Sequence, residues 1–129
     1  MGSDRDAAVA RVPLMRTTFA SILLVASAVL ARAADVAGNA ENGRLLLRQY
    51  GCGGCHRIPG VEAARGNVGP SLEGIARRVY LAGRLPNTPE NMVRWIVEPK
   101  AIHPGTAMPD LSVSEAQAHD MVAHLYRLR

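Results

Sequence analysis

Lysine and large aromatic residues are almost missing from this chain. Lys100 is its one Lys, Phe19 its one Phe and Trp95 its one Trp, with three Tyr besides. From Ala34 onward there is no Phe at all, so a domain of this size has little bulky material for a core, and small domains often need an internal staple. The basic residues are nearly all Arg. From Ala34 onward eleven Lys plus Arg face nine Asp plus Glu, a balance of +2. Nothing in that balance argues for nucleic-acid binding, which wants a concentrated basic face. With only two Cys there is no disulfide framework, and a bridge between residues as close as Cys52 and Cys55 closes too small a loop to stabilise much. Long apolar runs are lacking too: the uncharged stretch from Thr17 to Ala31 has 15 residues, short of the roughly 18 expected of a membrane span.

That stretch has the form of an export signal. Arg11 and Arg16 precede it, its heart is Phe19 to Ala26, and Ala31-Arg32-Ala33 places small residues where a signal peptidase reads. Residues 1–33 are therefore expected to be a signal peptide cleaved before Ala34, with residues 34–129 as one domain. An uncleaved anchor is the alternative, disfavoured by the length of the run. The mixed-charge start leaves Met15-Arg16 as an equally workable beginning.

Cys52-Gly53-Gly54-Cys55-His56 is the stretch the rest serves. Two thiols three residues apart, followed at once by an imidazole, form the pattern by which a chain carries a covalent c-type haem. Residues i and i+3 lie on one side of a helical turn, so both sulfurs reach one edge of the ring. The imidazole that follows can bind the iron. Gly53 and Gly54 carry no side chain to hold the backbone off the porphyrin. A redox dithiol would leave His56 without a role, and zinc would want a second Cys or His pair. A single iron-bearing haem c also suits the thin core, since it supplies the missing apolar mass. It requires assembly outside the cytoplasm, which agrees with the leader and implies a periplasmic location.

Helical signals fill most of the remainder. Asn39 caps a helix from about Ala40 to Tyr50, in which Gly43 suggests a close backbone crossing. Loops follow through Pro59-Gly60 and Gly69-Pro70, then a short helix is expected around Ser71 to Val79 and a turn from Gly83 to Asn87. Thr88-Pro89-Glu90 opens a helix with Met92, Trp95 and Ile96 inward, and Pro99 ends it. A stiff loop runs from Pro99 to Pro109. Ser112 to Glu115 reads as a capping box for a last helix faced by Ala118, Met121, Val122, Leu125 and Leu128. No strand is expected. The fold class is all-α, three to five helices with long loops wrapping one covalent haem.

A second axial ligand has several candidates. Met92 and Met121 lie on apolar helix faces, where Met is usually core filler. His119 and His124, five apart on one helix, point in different directions. Met108 lies in irregular chain between Pro104-Gly105 and Pro109 and is the favoured ligand; His103 in the same loop is the alternative.

Taken in order, Cys-x-x-Cys-His, Gly69-Pro70, a Trp-bearing helix, Pro104-Gly105-Thr106-Ala107-Met108-Pro109 and a capped last helix resemble the class I c-type cytochromes. The match runs from about Asn39 to the C-terminus. Leu85 to Asn91, with the Pro99 to Met108 loop, is similar to the cytochrome domain fused to some haem-copper oxidase subunits; here the domain is expected alone behind its leader. The resemblance implies a Pro70 carbonyl on the outer nitrogen of His56, Arg78 near a propionate, and Trp95 and Thr106 by the propionates or the Met ligand. It also implies that Gly43 packs on the last helix near Met121 and Leu125. His124 departs from the family, where an aromatic residue is usual.

Two protein ligands would leave the iron no open position. The expected function is therefore single-electron transfer between redox proteins of a respiratory chain, with a membrane oxidase as a candidate partner. The chain would be a monomer, with no catalytic residues, no small-molecule substrate and no nucleic-acid partner. The alternative is a cytochrome subunit of a periplasmic dehydrogenase complex. A haem sensor or peroxidase is a third reading, for which no distal acid/base cluster speaks.

Overall fold

The structure, a computed structural model, describes residues 36–129. The expected signal peptide lies outside the described residues, apart from them in the chain.

Helix α1 spans Ala40–Gln49. The side chain of Asn39 starts it, accepting from the N–H groups of Glu41 and Asn42 at 3.0 Å each, which satisfies two of the donors every helix start leaves free. Its Ala40, Gly43, Leu46 and Leu47 are buried. Helix α2 spans Pro89–Val97, capped by Thr88 and opened by Pro89, a residue whose fixed φ suits the first turn. Helix α3 is a single turn, Pro99–Ile102, and α4 spans Glu115–Leu125. Two 3-10 turns, Cys52–Gly54 and Ile75–Arg77, occupy the loops. An antiparallel pair, β1 Tyr80–Leu81 and β2 Leu85–Pro86, pairs Tyr80 with Pro86 and Leu81 with Leu85.

Most of the closely packed core lies where α1 crosses α4, with α2 laid against α4 beside it. Leu46, Leu47, Met121, Val122 and Leu125 fill the crossing, and Met92 and Val93 join them from α2. Gly43 is the point of closest approach. A Cβ there would fall on the carbonyl of Asp120 and 2.8 Å from the amide nitrogen of Met121. The crossing is thus backbone against backbone beside Met121, one turn short of Leu125. Asp120 clips it together: its carboxylate accepts from the Asn39 amide at 2.6 Å and from Asn42 Nδ2 at 2.7 Å, and these bonds hold its pKa below the ordinary value. Tyr50 Oη donates to Gln117 Oε1 at 2.9 Å at the other end of the crossing.

Four local expectations are corrected. The short helix around Ser71 to Val79 is only the Ile75–Arg77 turn, because Gly74 before it takes a left-handed φ of 64°. The expected turn is present but short, Ala82 to Arg84, and Leu85 and Pro86 beyond it pair with β1, so a small sheet stands where no strand is expected. Two-residue strands carry no readable alternation, and Pro86 sits at an edge where its missing N–H costs nothing. Pro99 ends α2 but also begins α3, so the stiff loop opens with a helical turn. The capping box is Ser114 to Gln117, two residues later than read: Ser114 Oγ accepts from the Gln117 amide at 3.3 Å and Gln117 Oε1 from the Ser114 amide at 3.2 Å.

Candidate haem site

The CxxCH stretch leaves α1 through Gly51, whose φ of 70° turns the chain, and winds into the Cys52–Gly54 turn. Both the Cys55 and the His56 amides donate to the Cys52 carbonyl, at 3.3 and 3.0 Å. This tight winding puts Cys52, Cys55 and His56 on the wall of one cavity of about 490 Å³. Both thiols are free, and burial pushes that of Cys52 above its ordinary pKa. One of the two glycines between them has a further reason besides the expected one. A Cβ on Gly53 would stand 2.6 Å from Ala64 Cα, whereas Gly54 has open space around it. Gly53 is therefore set by the loop behind it as well as by anything in front.

His56 is held from one side. Its Nδ1 lies 2.7 Å from the carbonyl oxygen of Pro70. With Nδ1 donating there, the neutral ring has its Nε2 lone pair free to bind a metal. Gly69 backs the ring so closely that a Cβ would stand 2.7 Å from Nδ1 and 2.9 Å from Nε2. The Gly69 amide in turn donates to the Cys55 carbonyl at 2.8 Å, which ties this wall to the cysteine turn.

The other expected residues reach the same cavity. Pro70, Arg78, Trp95, Thr106 and Met108 all line it, together with Met92 and Met121 from the helices and His103 from the strap after α3. Met108 is half-buried, and its amide donates to Thr106 Oγ1 at 3.1 Å. The Thr106 amide donates to the His103 carbonyl at 2.9 Å. Arg78 points its guanidinium at the Ser71 and Glu73 carbonyls, bracing its own loop. His119 and His124 do not line the cavity.

Asn87 was not foreseen. Its Nδ2 donates to the carbonyls of Ile75 and Arg78 at 2.8 Å each, and its Oδ1 accepts from Tyr126 Oη at 3.0 Å. One amide thus joins the Arg78 loop to the end of α4. The Pro86-Asn87-Thr88-Pro89 setting signals a turn, where a side-chain amide bonds to nearby backbone, but nothing local points to Tyr126.

These residues fit a covalent haem. The cavity lies within the usual range of ligand sites, about 300–1,000 Å³, and its lining is mostly apolar. Two free thiols and an oriented imidazole stand together on one wall, and a thioether lines the same space. Among the described residues no group of three or more His, Cys, Asp and Glu side chains is placed to hold a bare metal ion, so a zinc site has no ligand set there.

Comparison with known proteins gives the family. The family model described as Cytochrome c matches residues 40–129. Two curated relatives are named cytochrome c oxidase subunit 2. The one from Alkalihalophilus pseudofirmus is 32% identical over 91 residues, covering 70% of this chain and 26% of its own length. That from Bacillus subtilis is 33% identical over 87 residues, covering 61% of this chain and 24% of its own. The chain thus spans about a quarter of the length of these relatives. With the motif, the helical fold and the matched region in agreement, this chain belongs to the cytochrome c family as a class I c-type cytochrome.

Proposed function

We propose that the domain is a monohaem electron carrier working outside the cytoplasm, with haem c bound through Cys52 and Cys55 and its iron between His56 and Met108. The observation that carries this reading is the meeting of His56 and Met108, distant in sequence, on one apolar cavity that also holds both thiols. When bound, the haem supplies a one-electron couple, and a Met/His ligand pair places its potential above that of two nitrogen ligands. The protein residues do the rest. The Pro70 carbonyl fixes the His56 ring and keeps Nε2 bare. Thr106 Oγ1 holds the Met108 amide and so the position from which the thioether reaches inward. Trp95, Met92 and Leu125 wall the cavity against water. Arg78 brings the cation suited to a propionate.

The partners are proposed to be redox proteins, with an oxidase as acceptor. Both curated relatives are oxidase subunits by name, and the likeness covers only a quarter of each. The cavity rim suits a brief encounter. Val68, Tyr80 and Leu111 line it and are exposed, which favours a small apolar contact of the kind transient redox pairs use, below about 1,200 Å² in total. Export rests on the leader pattern through Ala33 and on the chemistry of haem attachment.

Absorption spectroscopy tests the ligand pair. The oxidised protein is expected to show a weak far-red band from sulfur-to-iron charge transfer, absent in Met108→Ala. A band that survives in Met108→Ala but disappears in Met92→Ala or Met121→Ala would reassign the ligand and with it the role of the strap.

A further inference from the structure

Four side chains with a nitrogen or thioether lone pair able to bind iron line the cavity besides His56 and the two thiols, leaving the Arg78 guanidinium and the Trp95 indole aside: Met92, Met121, Met108 and His103. The first two are 3% and 0% exposed and are held in α2 and α4 within the buried core. His103 and Met108 differ from them. Both are half-buried, and both sit on the strap between α3 and α4, which has no regular structure from His103 to Ser114. The strap is held to itself by short local bonds, Thr106 amide to His103 carbonyl and Met108 amide to Thr106 Oγ1. Next to the His103 ring is Gly105, whose missing Cβ would stand 3.5 Å from Cε1 and 4.0 Å from Nε2. The ring therefore has a backbone beside it and no neighbouring side chain from Gly105 in its path.

We infer that His103 is a reserve axial ligand: when the Met108 thioether is lost, the strap shifts and the His103 imidazole takes its place on the iron. The inference rests on the reading of Met108 as the resident ligand. Its physical basis is that the two donors share one short, irregular segment on one cavity, so exchanging them moves loop and leaves helices in place. Imidazole is a sound ligand for haem iron, and replacing thioether by a second nitrogen lowers the reduction potential. Loss of Met108 would then convert the carrier to a form of lower potential instead of opening the iron to small molecules. One natural route is oxidation by hydrogen peroxide, in which the thioether sulfur takes one oxygen atom, giving the sulfoxide, and water leaves.

The test uses Met108→Leu, which nearly preserves volume, alone and combined with His103→Ala, in the haem-loaded protein. Paramagnetic resonance and visible spectra of Met108→Leu should show a low-spin iron with two imidazoles and a potential below that of the unmodified protein. The double variant should be high-spin and should bind carbon monoxide readily when reduced. A high-spin Met108→Leu, or a low-spin double variant, would overturn the inference. If Met108→Leu does not fold, the same spectra are taken after peroxide treatment of the unmodified protein and of His103→Ala. An imidazole-ligated product only where His103 is present supports the exchange, and identical products contradict it. The far-red sulfur band of the untreated protein separates the two readings. With the band present and Met108→Leu high-spin, only the reserve ligand fails; with the band absent at the outset, Met108 itself was misassigned.

Discussion

The crossing of α1 and α4 and the wall behind His56 both depend on a missing side chain, yet they serve different ends. At Gly43 the absent Cβ lets two helix backbones touch, chain packed directly on chain. At Gly69 the absent Cβ lets a loop lie flat against an imidazole, and the space in front of that imidazole is a cavity that the chain does not fill. One region is complete in itself. The other is shaped for something the polypeptide does not contain, and this is how a sequence so short of aromatics can specify a compact domain.

Substituting each glycine by Ala separates the two. Gly43→Ala should have the larger effect on stability. Helix propensity alone would favour Ala by about 1 kcal/mol, but the new methyl would meet the Asp120 carbonyl, and overpacking of this kind costs on the order of 1–3 kcal/mol, occasionally more. A net loss of stability in denaturant melts is expected; a gain would mean that the two helices separate at little cost. Gly69→Ala should leave α1, α2 and α4 folded while pushing the His56 ring away from Pro70. Fewer molecules should then carry a low-spin, six-coordinate iron. A normal ligand spectrum in that variant would show that the loop simply moves aside.

The same contrast explains what could be read from sequence. Asn39, Thr88-Pro89 and the Gly43 crossing were legible because caps and close contacts are local or leave a residue that only packing accounts for. The cavity residues Cys52, Cys55 and His56 were legible because their spacing has few other uses, and Met108 because it lies in irregular chain while Met92 and Met121 lie on apolar helix faces. Asn87 was not, since its partners Ile75, Arg78 and Tyr126 meet only in the folded chain. The capping box was misplaced by two residues because Ser112 and Ser114 both have a Glu or Gln at the right distance. The structure resolves the choice by putting Ser112 at a φ of 54°, outside any helix start.

His124 sharpens the comparison at smaller scale. It is buried at the crossing, its Nε2 has no partner among the described residues, and burial holds its pKa below the ordinary 6.5. The Pro59 and Ala40 backbone opposes that shift, while Arg44 and Arg127 add to it weakly. Below 6.5 the unfolded chain therefore binds more protons than the folded one, and stability should decline as pH falls through that value. His124→Phe should remove this part of the pH dependence. An unchanged stability profile from pH 7.5 to 5.5 would mean that solvent reaches the ring.

The central claim, that the cavity is built for a haem bonded to Cys52 and Cys55, is tested most directly by intact mass. Protein recovered from the exporting host is denatured in acid and organic solvent and weighed. The expected result is a single species with the mass of the chain plus one haem, and with no haem when both cysteines are replaced by Ala. A chain that appears at its bare mass, with all haem in the organic phase, would contradict the claim.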